Sequence, residues 1–450
     1  MPTTPLPDHP DLAQLKRQAR ELQRDHAAGS LTAISEVDAH LPDRGSVRSL
    51  KLAEAQTVIA RRHGFTGWQR LREFVAVGGR PDLVAALDDP GDEVLRLACL
   101  TYGDDDGRHR WDGAAELLAA DPSLATRTPA LAAATGSIDS LRRFVDANPV
   151  VALLRSGPFG WTPLLYACAS RIGTGEHAVD VVRLLLDAGA DPNETLRWDQ
   201  KYPFTALTFV FGEGEQGPAR QPRHPRWVEL ATMLLDAGAD PNDSQVLYDR
   251  MFTRDDDSHL VLLFDHGMSP TFDALAGQVR WARDHHLEHR LRLLEERGVD
   301  IGPAPELDEI GTAIESALRG DRAALEACSP AIIAAAQVRR PALVAWAVAD
   351  GRRDATELLL DLGWDVNALG RTDVVNDERW HTALHMAVDD PSMVVLLLER
   401  GADPNIRDAR FDATPLGWAR HGEHAESIAI LEPLTAPAEA TGIPSEDAES

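Results

Sequence analysis

The sequence predicts an all-α fold: a solenoid of helix pairs joined by β-turn fingers, preceded by a small helical domain. Two recurring phrases and the chain length lead to it. A closing phrase recurs as VVRLLLDAGADPN ending at Asn193, LATMLLDAGADPN at Asn242, ATELLLDLGWDVN at Asn367 and MVVLLLERGADPN at Asn405. An opening phrase recurs as TPLLYA from Thr162, TALTFV from Thr205, TALHMA from Thr382 and TPLGWA from Thr414. At 450 residues the chain exceeds what one hydrophobic core supports, and internal repetition selects an array over several unrelated domains.

Each phrase has a local physical meaning. Thr382 can cap a helix through its hydroxyl, and Leu384 and Ala387 then fall on one face, small enough for neighbouring helices to approach. Val394, Val395, Leu397 and Leu398 are expected to form the buried stripe of a second helix. Gly401 suits the left-handed position that ends that helix, and Asp403, Pro404 and Asn405 favour the turn into the next unit. One such pair cannot bury its apolar face alone, so neighbours must stack.

Together the phrases resemble the ankyrin repeat. In that family the opening Thr and closing Gly lie about 21 residues apart in a unit of about 33. Here Thr382 and Gly401 are 19 apart, Thr162 and Gly189 27, and Thr205 and Gly238 33. The longer separations place insertions at 171–177 and 212–226. Reading outward gives about ten helix pairs over 90–432, degenerate before 160 and between 244 and 341, the last with the polar face of a capping unit. Residues 433–450, rich in Ala, Pro, Glu and Ser, read as a disordered tail. The resemblance also implies that His385 serves hydrogen bonds between units and that Asp191, Asp240 and Asp403 are structural.

Residues 1–80 read as four helices over 11–26, 31–42, 49–64 and 66–77, with Leu12, Leu15, Ala19 and Leu22 on one face. Gly64 is placed to stop the third and Thr66 to cap the fourth. The stretch LKLAEAQTVIARRHGFTGWQRL resembles a helical segment found ahead of ankyrin arrays in bacterial proteins of unassigned function, which implies architecture and not activity. Phe65, Trp68 and Leu71 are expected to anchor the fourth helix. A low lysine content, three in all, suggests a GC-rich bacterial genome.

The net charge is −27, yet residues 1–80 hold 12 Arg plus Lys against 9 Asp plus Glu, so the acidity lies behind them. An acidic field disfavours nucleic acid and anionic lipid and raises the encounter rate with a basic protein partner at low salt. No apolar run has the length of a membrane span and MPTTPLPDHPDL lacks a signal-peptide core, so a cytoplasmic protein without membrane attachment is expected. Cys99, Cys168 and Cys328 are too few and too scattered for a disulfide framework or zinc cluster and read as buried apolar residues.

No P-loop, GxSxG elbow or HExxH occurs, and FGEGEQG at 211–217 lacks the strand-to-helix setting of a nucleotide cradle, so neither catalysis nor a cofactor is expected. The acidic loops GDDDG (103–107) and RDDDS (254–258) lack calcium-loop spacing and read as solvated turns. In ARDHHLEHR, His285 and His289 would share a helical face, a two-ligand zinc pattern without a third. Two alternatives stay open: a ligand or catalytic site between degenerate units, where Asp255, Asp256, His285 and His289 converge, and nucleic-acid binding by Arg61, Arg62, His63, Arg70 and Arg72.

The resemblance implies that partners bind on the concave face made by fingers and first helices. Two fingers, 194–204 and 368–381, are longer than usual and carry residue types that anchor interfaces. Arg197, Trp198, Tyr202, Arg371, Arg379 and Trp380 are therefore the expected partner-binding residues. Trp161 and Trp380 suit inter-finger packing equally well, and Phe411 is expected to pack.

Overall fold

A computed structural model of the protein describes residues 3–7, 9–42, 49–173, 175–372 and 378–436. Its contacts divide the chain into two compact units, Met1–Val279 with Leu293–Asp300, and Arg280–Arg292 with Ile301–Ser450. From residue 437 on, the expected tail lies outside the described residues, as do 373–377 of the second finger.

In the first unit, helices Leu12–Ala27, Leu31–His40, Leu52–Arg62 and Trp68–Ala76 surround a core of Leu15, Ala19, Leu22, Val37, Val58, Ile59, Phe65 and Leu71. Gly64, at φ 89°, ends the third helix as expected. The fourth is preceded by Gly67 with no side-chain cap, so Thr66 does not play the expected part. Helix pairs follow, and the first helices of successive pairs, Pro129–Ala134, Pro163–Ala169, Ala206–Phe211 and Ser244–Met251, stack one on the next. Every residue of Pro163–Ala169 and of Ala206–Phe211 is buried, as suits helices that are apolar nearly all round; Thr208 is the polar member of the second and accepts the Thr205 N–H at 3.0 Å. Burial pushes the thiols of Cys99 and Cys168 up to about 12, which keeps them unreactive.

The second unit repeats the scheme: Leu343–Ala349 is wholly buried and stacks on Ala383–Met386, which stacks on Pro415–His421. An additional helix, Pro330–Arg339, packs against Glu309–Leu318 where the sequence suggested no element. In Pro391–Glu399 the buried stripe is Met393, Val394, Leu396 and Leu397, whereas Val395, expected inside, is exposed. Among the described residues no single helix is long and apolar enough to cross a membrane.

The closing phrases act as the turn chemistry implies. Gly189, Gly238, Gly363 and Gly401 take φ values of 94°, 99°, 87° and 91°, the left-handed region where a side chain would be strained. The aspartates Asp191, Asp240, Asp365 and Asp403 each accept the backbone N–H two residues on at 2.9 Å. The asparagine then reaches the next turn of its own unit. Asn193 donates to the Gly238 carbonyl and accepts from Asp240 N, both at 2.8 Å, and Asn367 does the same with Gly401 and Asp403. The phrase is thus a lateral hydrogen-bond rail, and its polar residues are consumed by structure.

The 212–226 insertion is not a loose loop. Arg171, buried, donates to the carbonyls of Cys168, Ser170, Phe209 and Pro222, closing the insertion over the helix end. Glu213 receives Arg250 and, at 2.8 Å, Arg223, while Asp256 receives Arg223 at 2.7 Å and Arg250 at 3.1 Å. FGEGEQG is thereby occupied by its own chain.

Candidate partner-binding fingers

The first long finger folds as a hairpin of two strands, β1 (Thr195–Trp198) and β2 (Tyr202–Thr205), in the register Thr195↔Thr205 to Trp198↔Tyr202. Asp199, Gln200 and Lys201 form a three-residue loop in which the first two are left-handed at φ 53° and 55° and Lys201 N–H donates to the Trp198 carbonyl. Alternation puts Leu196, Trp198, Tyr202 and Phe204 on one face and Thr195, Arg197, Pro203 and Thr205 on the other.

This register decides the fate of the predicted residues. Trp198 is half-buried: its Nε1–H donates to the Thr101 carbonyl at 2.8 Å, Phe204 stacks on it at 5.8 Å, and the Arg80 guanidinium lies 4.0 Å over its ring. It fastens the finger to the body. Arg197 is exposed and Tyr202, at the tip, is 39% exposed. Lys201 reaches the Tyr202 hydroxyl at 2.9 Å, so the tip presents a phenol, an ammonium and a guanidinium on a hydrogen-bonded scaffold.

The second finger begins and ends in an antiparallel pairing of Gly370 with His381, whose two backbone hydrogen bonds measure 2.9 and 3.1 Å. Glu378 accepts from Arg371 at 2.9 Å and from Arg410 at 2.8 Å, and these two cations hold its carboxyl below the usual range. Trp380 is half-buried, with the Arg410 guanidinium 3.9 Å and the Arg371 guanidinium 5.9 Å from its centroid. Its backbone carbonyl accepts from Ala409 N at 2.9 Å, joining this finger to the one at 406–413. Arg379 is exposed. Phe411, expected to pack, is 69% exposed, touching Trp380 and Trp418 only at its edge.

Asp408 organises the 406–413 finger, a role the sequence did not signal. It accepts from Arg410 N, Phe411 N, Ala413 N and Trp418 Nε1 at 2.7 to 3.0 Å. Burial opposes its ionisation but those hydrogen bonds prevail, and its carboxyl lies below the usual range. His385 accepts the Thr382 backbone N–H at Nδ1 and approaches the Ala413 carbonyl at 3.1 Å through Nε2, as the resemblance implied.

The other candidate constellations are arranged differently from expectation. His285 and His289 do not share a helical face: one helix ends at Asp284, His286 turns left-handed at φ 54°, and the next begins at Glu288. His285 is buried between Trp281 and Trp346 with Asp350 2.7 Å from Nδ1, while His289 is exposed. Asp255 is exposed, and Asp256 serves the insertion network. Although burial opposes its ionisation, Ser258 and the two guanidinium groups bring Asp256 down to about 2. The GDDDG loop is not wholly solvated, because Asp106 is buried against Arg110 and accepts from Thr101 and Gly103. Among the described residues no group of three or more His, Cys, Asp or Glu is arranged to hold a metal ion. In the basic stretch, Arg62 pairs with Glu36, Arg70 with Glu73, Arg61 donates to the His40 carbonyl at 2.7 Å, and His63 is buried.

The ankyrin-repeat family model matches residues 159–195 and 379–409. Among solved structures, the human ASB11 ankyrin repeat domain matches at 17% identity and a TM-score of 0.22, over 69% of this chain and 99% of that one. The ankyrin repeat domain of Bcl-3, described as a unique member of the IkappaB protein family, matches at 20% identity and a TM-score of 0.17, over 67% of this chain and 97% of that one. A comparison with curated protein sequences finds no match. The protein thus has an all-α fold of stacked helix pairs that carries ankyrin repeats at 159–195 and 379–409.

Proposed function

We propose that the protein is a non-enzymatic scaffold that binds a protein partner through its fingers. Ankyrin repeats are generally protein–protein interaction modules, and the observation that carries the reading here is the 194–205 hairpin. Its backbone is held by cross-strand bonds and by Trp198, so Arg197, Lys201 and Tyr202 are presented at small entropic cost. In the second finger Arg379 and the cation-flanked Trp380, with Phe411 from the adjoining 406–413 finger, supply the aromatic and guanidinium groups that dominate interface energetics. The acidic field favours a basic partner in the approach phase, by steering more than by contact.

Co-precipitation with the wild type, with Arg197→Ala plus Tyr202→Ala, and with Arg379→Ala plus Phe411→Ala tests this. These side chains are exposed, so the variants should keep the wild-type melting temperature and lose one or more specific partners. Partner profiles identical to wild type in both doubles would sink the finger-centred reading.

A further inference from the structure

Residues 3–7, TTPLP, cross the first unit as a strap between the third helix of the front segment and the turn at 153–161. Pro5 and Pro7 fix their own φ and push Thr4 and Leu6 ahead of them to extended backbone, which biases the strap to the polyproline II form. Burial follows that helix's period of three: Thr3 and Leu6 are half-buried, whereas Thr4, Pro5 and Pro7 are exposed. Leu6 packs against the front core. Thr4 N–H donates to the Arg62 carbonyl at 2.8 Å, the Thr4 carbonyl accepts from His63 Nδ1 at 2.9 Å, and the Thr3 hydroxyl accepts from Arg155 N.

The strap fills only part of the groove in which it lies. Beneath the hairpin a cavity of about 170 Å³ remains, lined by Pro5, Leu6, Pro7 and Pro10 and by three stretches distant from them in sequence, 63–79, 155–161 and 195–200. Four rings, Phe65, Phe74, Phe159 and Trp161, belong to that lining, and Arg155, Thr195, Arg197 and Gln200 bring polar groups to it. This mixture suits a proline-rich chain: rings pack on pyrrolidine, and polar side chains at the rim meet carbonyls that a polyproline II backbone leaves without internal partners. The floor is built without the strap. A Cβ on Gly64 would stand 2.6 Å from the Arg155 carbonyl carbon and one on Gly160 3.0 Å from the Phe65 ring, so the front segment and the 155–161 turn are in direct contact. Phe65 lies 5.3 Å from Phe74, and Phe159 4.6 Å from Trp161.

We propose that this groove is a docking site for an extended Pro-x-Pro segment of a protein partner, and that the strap is an internal ligand which such a segment displaces. The inference is independent of the outer finger contacts. A fluorescein-labelled peptide of the strap sequence, TTPLPDHP, titrated against the full chain and read by fluorescence anisotropy, tests it. Leu6→Asp places a carboxylate where the strap packs on the front core and so releases it; deletion of residues 3–7 is a second release. A tethered ligand competes at an effective concentration of about a millimolar, so either release should tighten peptide binding about tenfold or more relative to wild type. The peptide with Pro5→Ala and Pro7→Ala should lose that gain, as should Phe74→Ala combined with Leu6→Asp, with circular dichroism unchanged. Absence of binding to the folded released variants, affinity equal to wild type, or equal affinity for the alanine peptide would overturn the proposal. Loss of the cooperative thermal transition in both released variants would also overturn it, because the strap would then be part of the core. So would a wild-type dimer that binds no peptide after release, which would assign the groove to a second copy of the chain.

Discussion

At the residue scale, buried polar groups in this protein are committed to the fold. Glu213 sits at φ 58°, an unusual conformation for a glutamate, and faces Arg250, whose side chain is fully buried. Removing one member of such a pair leaves a charge without water or partner, a loss of about 3 kcal/mol or more. Glu213→Ala should therefore destabilise the first unit by about that amount, moderated by the Asp256 contact to Arg250. Chemical denaturation followed by tryptophan fluorescence would measure it, and a loss no larger than that of an exposed-residue control such as Glu215→Ala would contradict the network. The same commitment ties Asp256 to two guanidinium groups and His285 to the Asp350 carboxylate, all within 3.1 Å.

At the scale of one element, the β1–β2 hairpin turns through two non-glycine residues in the left-handed region. Glycine carries no steric penalty at such a position. Gln200→Gly should stabilise the hairpin by about 0.5–1 kcal/mol, read as slower amide hydrogen exchange at Lys201, whose N–H donates to the Trp198 carbonyl at 3.1 Å. Faster exchange would mean that the Gln200 side chain contributes more than its backbone costs. A hairpin in this finger was hard to foresee from ETLRWDQKYPF, since DQ is a weak turn signal and Pro203 argues against a strand. Pro203 is tolerated because both strands of a two-stranded ribbon are edges, where a missing N–H costs least.

At the scale of the whole molecule, histidine burial sets a pH dependence. His63, His224 and His385 are all held below their ordinary value of 6.5, in each case chiefly by desolvation. Their neutral forms belong to the folded state, so the unfolded chain binds protons first as the pH falls. The stability they contribute is complete above pH 6.5 and is lost as the pH drops from there through each depressed folded value, with a limiting slope of about 1.4 kcal/mol per pH unit per group. Buried Asp243 and Asp249, whose carboxyls desolvation pushes up, act in the opposite sense. Their contribution is complete below the ordinary carboxylate value and is lost as the pH rises through the raised ones. Unfolding free energy should therefore fall between pH 7 and 5.5, and the slope should shrink in His224→Gln. A flat profile over that range in the wild type would show that the histidines do not dominate.

The repeat chemistry was legible in the sequence alone because it is local. Left-handed glycines, aspartates turning onto the N–H two residues on, and threonines opening helices act over a few residues, so their spacing reveals the units, whereas the lateral rail made by Asn193 and Asn367 joins residues 34 to 47 apart and is seen only in the structure. Helix existence was likewise readable, except at the short Gly217–Arg220 inside the insertion and at Pro330–Arg339, where an Ala-rich run has little amphipathic pattern. Tertiary structure decided which side chains remain available. Trp198 is claimed by Thr101 and Arg80, about a hundred residues away, while Tyr202 on the same hairpin face stays open. His285 and His289 were separated by a helix break that heptad-style counting cannot see. The cavity of about 170 Å³ beneath the hairpin exists only where four distant stretches converge. Such outcomes depend on contacts between residues far apart in the chain, and a sequence pattern of period 3.6 or 33 carries no information about them.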